Sequence, residues 1–288
     1  MDQRIIDLHH DYVHDHCDRR KFLEQAGRIV GSAGAAAALL PVLDGNFANA
    51  QTIAEDDPRI RTERVSFEGV TGSVNANLVI PTAPGPHPGI VVVHEAGGLT
   101  PHQADVARRL AIEGFVALGV DFLSPAGGTP GPGEGRAFDR IRTLNPEETV
   151  QNGVAAVAYL RSRSETTESI GAVGFCWGGR VTQALSVNDP SLNAVVVFYG
   201  QPPHPSMAPN LNAPLLMNYA DVMLDMNNTG EAILYRAELD RLGKTYEFHM
   251  YEGAQHGFNN DTNEPRYNQA AAELAWGRTI DWFKQYLS

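Results

Sequence analysis

The stretch Gly174-Phe175-Cys176-Trp177-Gly178-Gly179 constrains this chain more than any other. It follows an apolar run, Ile170-Gly171-Ala172-Val173, and precedes helical spacing over residues 180–185. Strand, sharp turn and helix, with Gly on both sides of a central residue, read as a nucleophile elbow with Cys where Ser usually stands. Gly174 and Gly178 let strand and helix pass where a side chain would collide. The central side chain stands above the sheet at a helix N-terminus, whose unpaired N–H groups and dipole favour thiolate over thiol. Taken alone, the stretch reads equally as a small buried Cys in a Gly-rich turn. The partners supplied by the remaining chain favour the nucleophile.

With 288 residues the chain is long enough for one large domain or two small ones. The formal net charge of −12 argues against a nucleic-acid or anionic-membrane partner, since both need a basic face. The 2 cysteines, Cys17 and Cys176, exclude a disulfide framework.

Arg19-Arg20 followed by Phe22-Leu23 resembles a bacterial twin-arginine export signal. An Ala-rich stretch over residues 29–43 follows, shorter than the roughly 18 residues of a membrane span. Ala48-Asn49-Ala50 supplies a small-x-small site, so cleavage before Gln51 is expected, with the export machinery as the precursor's partner. The chain thus divides into a lead over residues 1–50 and a single domain over 51–288. The mature protein would be periplasmic or secreted, or cytoplasmic if the signal is not used. The alternative is an amphipathic helix that stays attached. His9, His10, His14, His16 and Cys17 have spacing that can bind a metal, but nothing nearby builds a second shell, and a solvated lead is the simpler reading.

Residues 64–69 and 73–80 read as an antiparallel pair of strands. Ile90-Val91-Val92-Val93 is a β-branched run suited to a strand buried on both faces, and it ends in His94-Glu95-Ala96-Gly97-Gly98. A strand tip entering a Gly-rich loop is where open α/β sheets place their chemistry. Glu95 is therefore a candidate functional carboxylate, against a solvated loop residue. The backbone N–H groups of Ala96 and Trp177 are candidate oxyanion donors. Helical spacing follows over residues 102–113, a strand over 115–122 and a Gly/Pro-rich loop over 125–135 that could rim a pocket. Arg136, Arg140 and Arg142 could hold a substrate carboxylate or lie solvated on a helix. A helix opens at Pro146 after Asn145 as cap. The order of strands and helices predicts a mostly parallel sheet with helices on both faces.

After the elbow, strands are expected at 194–199, 215–219 and 246–251, with an irregular segment over 200–214 that could also shape the pocket. Tyr199 and Trp177 suggest an apolar wall, or core. Asp221 and Asp225 compete as the acid of a triad, ahead of a helix expected from about Gly230; either could be a cap or loop residue. His256, in a Gly-flanked loop after the last strand, completes the order nucleophile, acid, His. His249, mid-strand, is its rival.

These residues together resemble the dienelactone hydrolase family of the α/β-hydrolase fold over residues 64–287. The resemblance rests on Val93-His94-Glu95, Asp105-Val106-Ala107-Arg108-Arg109-Leu110, the elbow, and His256-Gly257-Phe258-Asn259-Asn260-Asp261. It implies a Cys176, His256 and Asp triad, with Glu95 hydrogen-bonded to the thiol before substrate arrives. Counting from Tyr235 prefers Asp225, preceded by Leu224, over Asp221. Gly97 departs from the family, where Arg is common. The activity implied is hydrolysis of a small-molecule ester or lactone through a thioester, with no metal or organic cofactor. The rival is a catalytically silent or redox-active thiol protein on the same fold. Hydrolysis at a carbon–halogen bond is disfavoured, because in this fold it needs a carboxylate nucleophile.

Overall fold

In the computed structural model, two central strands, β3 (His87–Val93) and β5 (Thr166–Phe175), run parallel. Their register pairs Val93 with Gly174, so both strands end at the same level and their following loops become neighbours. The structure describes residues 4, 5, 8, 12, 18–32, 34–36, 52–131 and 133–288. The sheet has 8 strands in the order β1-β2-β4-β3-β5-β6-β7-β8. Its remaining strands are β1 (Ile60–Gly69), β2 (Gly72–Pro81), β4 (Val116–Val120), β6 (Ala194–Phe198), β7 (Leu215–Ala220) and β8 (Tyr246–Tyr251). The β1–β2 and β2–β4 pairs are antiparallel, and from β4 through β8 the sheet is parallel.

The β-branched runs explain the layering. Val91 and Val93 pack on one face with Val157, Leu185 and Leu239. Ile90 and Val92 pack on the other with Val106, Leu110 and Phe283. Those side chains come from α2 (Pro101–Ile112), α4 (Pro146–Arg161), α5 (Trp177–Asn188), α6 (Met226–Leu242) and α7 (Gln269–Leu287). Helices therefore cover both faces, as a parallel sheet of continuous apolar strands requires. A short helix, α3 (Ala137–Ile141), follows the Gly/Pro-rich loop.

Asn145 caps α4 as expected, its side chain accepting from the Glu147 and Glu148 N–H groups. α6 departs from expectation. It begins at Met226, not near Gly230, with Asp225 at its N-cap. Asn227, Asn228 and Gly230 are weak helix formers, but Thr229, Ala232 and Tyr235 are buried, and that packing carries the first turn. The segment after Gly200 contains a 3₁₀ turn, Pro205–Asn210, tied to the end of α6 by Lys244 Nζ, which donates to Pro209 and Leu211 carbonyls.

Arg19 and Arg20 open the helix α1 (Arg19–Val30), capped by Asp18, whose carboxylate accepts from the Lys21 N–H at 2.7 Å. Its Phe22 and Ala26 pack with Ile5, Tyr12 and Ala36. His9, His10, His14, His16, Cys17 and the Ala48-Asn49-Ala50 site lie outside the described residues. Among the described residues no helix is long and apolar enough to cross a membrane.

Candidate active site

The elbow is built by exclusion of side chains. A Cβ on Gly174 would strike the Gly178 carbonyl and Thr182; one on Gly178 would strike the carbonyls of Val93 and His94. The two glycines thus seat α5 on β5 and against the tip of β3. Cys176 takes up the strain, with φ 55° and ψ −120°, a conformation costly for any residue with a Cβ and typical of functional turns. Its side chain is half-buried at the N-terminus of α5.

His256 is delivered by the loop after β8 and is 6% exposed. Its Nδ1 lies 2.8 Å from Asp225 Oδ2. A carboxylate oxygen accepts, so Nδ1 carries the proton, and Nε2 is left for the thiol side. Asp225 occupies the N-cap of α6 without capping it. Its other oxygen, Oδ1, accepts from Asn228 Nδ2 at 2.8 Å. Burial works against charge on the imidazole, but the negative charges on Cys176 and Asp225 outweigh it and raise His256 from 6.5 to about 10. Asp221 is engaged elsewhere: its carboxylate accepts from the Met223 and Gly253 N–H groups at 2.9 Å each. His249 pairs with Glu247.

Glu95 differs from the expected thiol partner. Its Oε1 accepts from Tyr199 Oη at 3.0 Å and its Oε2 from Asn260 Nδ2 at 2.6 Å. Thr262 donates from both its N–H and its hydroxyl to Asn260 Oδ1, which turns the amide nitrogen toward Glu95. No hydrogen bond joins Glu95 to the sulfur among the described residues. Tyr199, in a left-handed backbone conformation at φ 40°, is fully buried behind the site. It is a support for Glu95, not a pocket wall. Trp177 also lies behind, stacked on His94 at 5.2 Å.

The Ala96 and Trp177 backbones flank the elbow. Ala96 follows the tip of β3, and Trp177 opens α5, where N–H groups have no helical partner. A cavity of about 750 Å³ opens above them, reaching Cys176, His256, Gly97, Thr129 and Arg266. The 125–135 loop contributes to its wall as expected, whereas residues 200–214 do not. Of the three arginines considered, Arg136 lines the cavity, held bidentately by Asp139 at 3.0 and 2.7 Å. Arg140 instead fastens the Gly127 and Gly128 carbonyls.

Sequence reasoning missed the supports of this site. Asn260 and Asp261 were visible only as members of a motif. Asp261 Oδ1 lies 2.8 Å from Nδ1 of the buried His102 on α2, which anchors the loop carrying His256.

A parallel-centred sheet covered by helices, with a strained Gly-flanked strand-to-helix turn beside a His–Asp pair, defines an α/β-hydrolase. Residues 74–287 match the dienelactone hydrolase family, and the chain belongs to it. It is 31% identical over 255 residues to a Methylorubrum extorquens protein named "Putative carboxymethylenebutenolidase", covering 82% of this chain and 84% of that one. An Escherichia coli protein of the same name is 33% identical, covering 70% and 78%. The crystal structure of a "Putative Dienelactone Hydrolase" from Klebsiella pneumoniae superposes with a TM-score of 0.70 at 27% identity, covering 79% of this chain and 99% of that one. The protein is thus a dienelactone hydrolase-like carboxylic ester or lactone hydrolase.

Proposed function

We propose that Cys176, His256 and Asp225 hydrolyse the ester or lactone bond through a thioester intermediate. The observation that carries this reading is the His256–Asp225 contact of 2.8 Å, made by a ring that faces the Cys176 thiol. The thiolate attacks the carbonyl carbon, and the carbonyl π electrons move to oxygen. The Ala96 and Trp177 N–H groups receive that oxyanion, each contributing about 3 kcal/mol of barrier lowering. The tetrahedral species collapses, the C–O bond breaks, and imidazolium gives its proton to the departing alkoxide. A lactone keeps both products in one molecule. Water, deprotonated by the now neutral His256, attacks the thioester and releases the acid. The proton returns to the His256–Cys176 pair. Asp225 holds the ring's orientation and favours its charged form throughout.

Cys176→Ala should abolish hydrolysis of p-nitrophenyl esters and unsaturated lactones while the fold melts as in the wild type. Full hydrolysis by that variant would reject the proposal. Export through the twin-arginine route is a second proposal, supported by Arg19-Arg20-Lys21-Phe22-Leu23 ahead of the hydrolase domain. N-terminal sequencing of protein recovered from a periplasmic fraction tests it: a start at Gln51 is expected, and an intact Met1 in the cytoplasm would refute it.

A further inference from the structure

We infer that His94 is a positioning residue for the oxyanion site, its ring fixing the peptide whose N–H belongs to Ala96. The inference rests on the Ala96–Trp177 reading above. His94 is fully buried at the tip of β3. Its Nδ1 lies 2.7 Å from the Glu95 carbonyl oxygen, which only accepts, so Nδ1 is the protonated nitrogen. The same oxygen also accepts from the Gly98 N–H at 3.0 Å.

That carbonyl and the Ala96 N–H belong to one planar unit. The peptide is trans, so the N–H points opposite to the C=O. Turning the Glu95 oxygen inward onto the His94 ring therefore turns the Ala96 N–H outward, and Ala96 lines the cavity above Cys176.

The ring's other contacts extend the role to the second donor. It stacks on Trp177 with an interplanar angle of 20° and meets Phe122 edge-on at 70°. The Gly178 backbone lies directly against the Val93 and His94 carbonyls. One imidazole thus touches both segments that carry the proposed donors. Its Nε2 is buried without a partner among the described residues, a cost an apolar ring would avoid. The Nδ1–H is what an apolar ring would lack.

The test separates the step that makes an oxyanion from one that does not. Acylation is read as the burst rate with p-nitrophenyl acetate. Thiolate reactivity is read as alkylation of Cys176 by iodoacetamide, a displacement at carbon with no oxyanion. His94→Phe keeps a stacking ring and loses the donor; His94→Leu is a second variant without it. His94→Asn places an amide nitrogen near the Nδ1 position. Acylation should fall roughly 10- to 100-fold in the Phe and Leu variants and by less than about fivefold in Asn. Alkylation should stay within about twofold throughout, since none of the substitutions alters Cys176 or the Gly174 and Gly178 backbone packing that seats the helix behind it. The inference is overturned if Phe or Leu acylates within about twofold of wild type, if Asn falls as far as Phe, or if acylation and alkylation fall together. Failure of the parent reading looks different: no Cys176-dependent burst in the wild type.

Discussion

Gly178→Ala probes the contact on which the site geometry depends. The new Cβ would overlap the carbonyl oxygens of Val93 and His94 and lie 2.8 Å from the Val93 carbonyl carbon, 0.6 Å short of the 3.4 Å where ordinary contact begins. All three atoms are backbone, held in the β3–β5 ladder by the Val93–Gly174 pairing, so no side chain can rotate away. Either α5 or the 93–96 segment must move by at least that distance, and the two proposed donors separate. A displacement of about 1 Å near the chemistry costs on the order of 100-fold, so roughly a 10- to 100-fold loss of kcat is expected. Overpacking should cost about 1–3 kcal/mol, which lowers the melting temperature by roughly 2–12 °C in a domain of this size. The assay is p-nitrophenyl acetate hydrolysis together with thermal unfolding. Gly277→Ala, where a Cβ meets nothing within 4 Å, is the control and should stabilise by about 0.5–1 kcal/mol. If Gly178→Ala kept wild-type kcat and melting temperature, the packing argument for the elbow would fail.

Four further outcomes follow from the site. Hydrolysis of an alkyl ester, whose leaving alkoxide takes its proton from His256 in the proposed mechanism, should decline as pH rises through about 10, where the ring loses that proton. Asp225→Asn should move that decline to lower pH and reduce kcat roughly 10²- to 10⁴-fold, read from pH–rate profiles. Because His256 is raised from 6.5 to about 10 in the fold, its bound proton stabilises the native state fully below pH 6.5. That stabilisation is lost as pH rises toward 10, so the melting temperature should fall across this window and fall less steeply in Asp225→Asn. Asp261→Ala, which removes the partner of buried His102, should destabilise by about 1–3 kcal/mol and slow turnover by loosening the His256 loop; unfolding curves and kcat check both.

The Gly-flanked turn at Cys176 and the buried strands were legible because glycine spacing and apolar periodicity are local signals. The start of α6 was not. Asn227, Asn228 and Gly230 weaken the local helix signal, and it is the burial of Thr229 and Tyr235 that extends the helix back to Met226. That extension puts Asp225 at the helix N-cap beneath His256. The supports were hidden for a different reason. Glu95 meets Asn260 across 165 residues of sequence, and His102 meets Asp261 across 159. Such pairs leave no mark in local spacing. Trp177 and Tyr199 left wall and core both open, because an aromatic residue beside such a turn suits either; the fold packs Trp177 on His94 and hydrogen-bonds Tyr199 to Glu95, behind the site.

The most direct measurement is the mass of the protein quenched during turnover of a p-nitrophenyl ester, followed by peptide mapping. The account predicts one acyl group per chain, attached to the sulfur of Cys176 and released by hydroxylamine. Turnover at full rate with the acyl group on another residue, or with Cys176 alkylated beforehand, would contradict it.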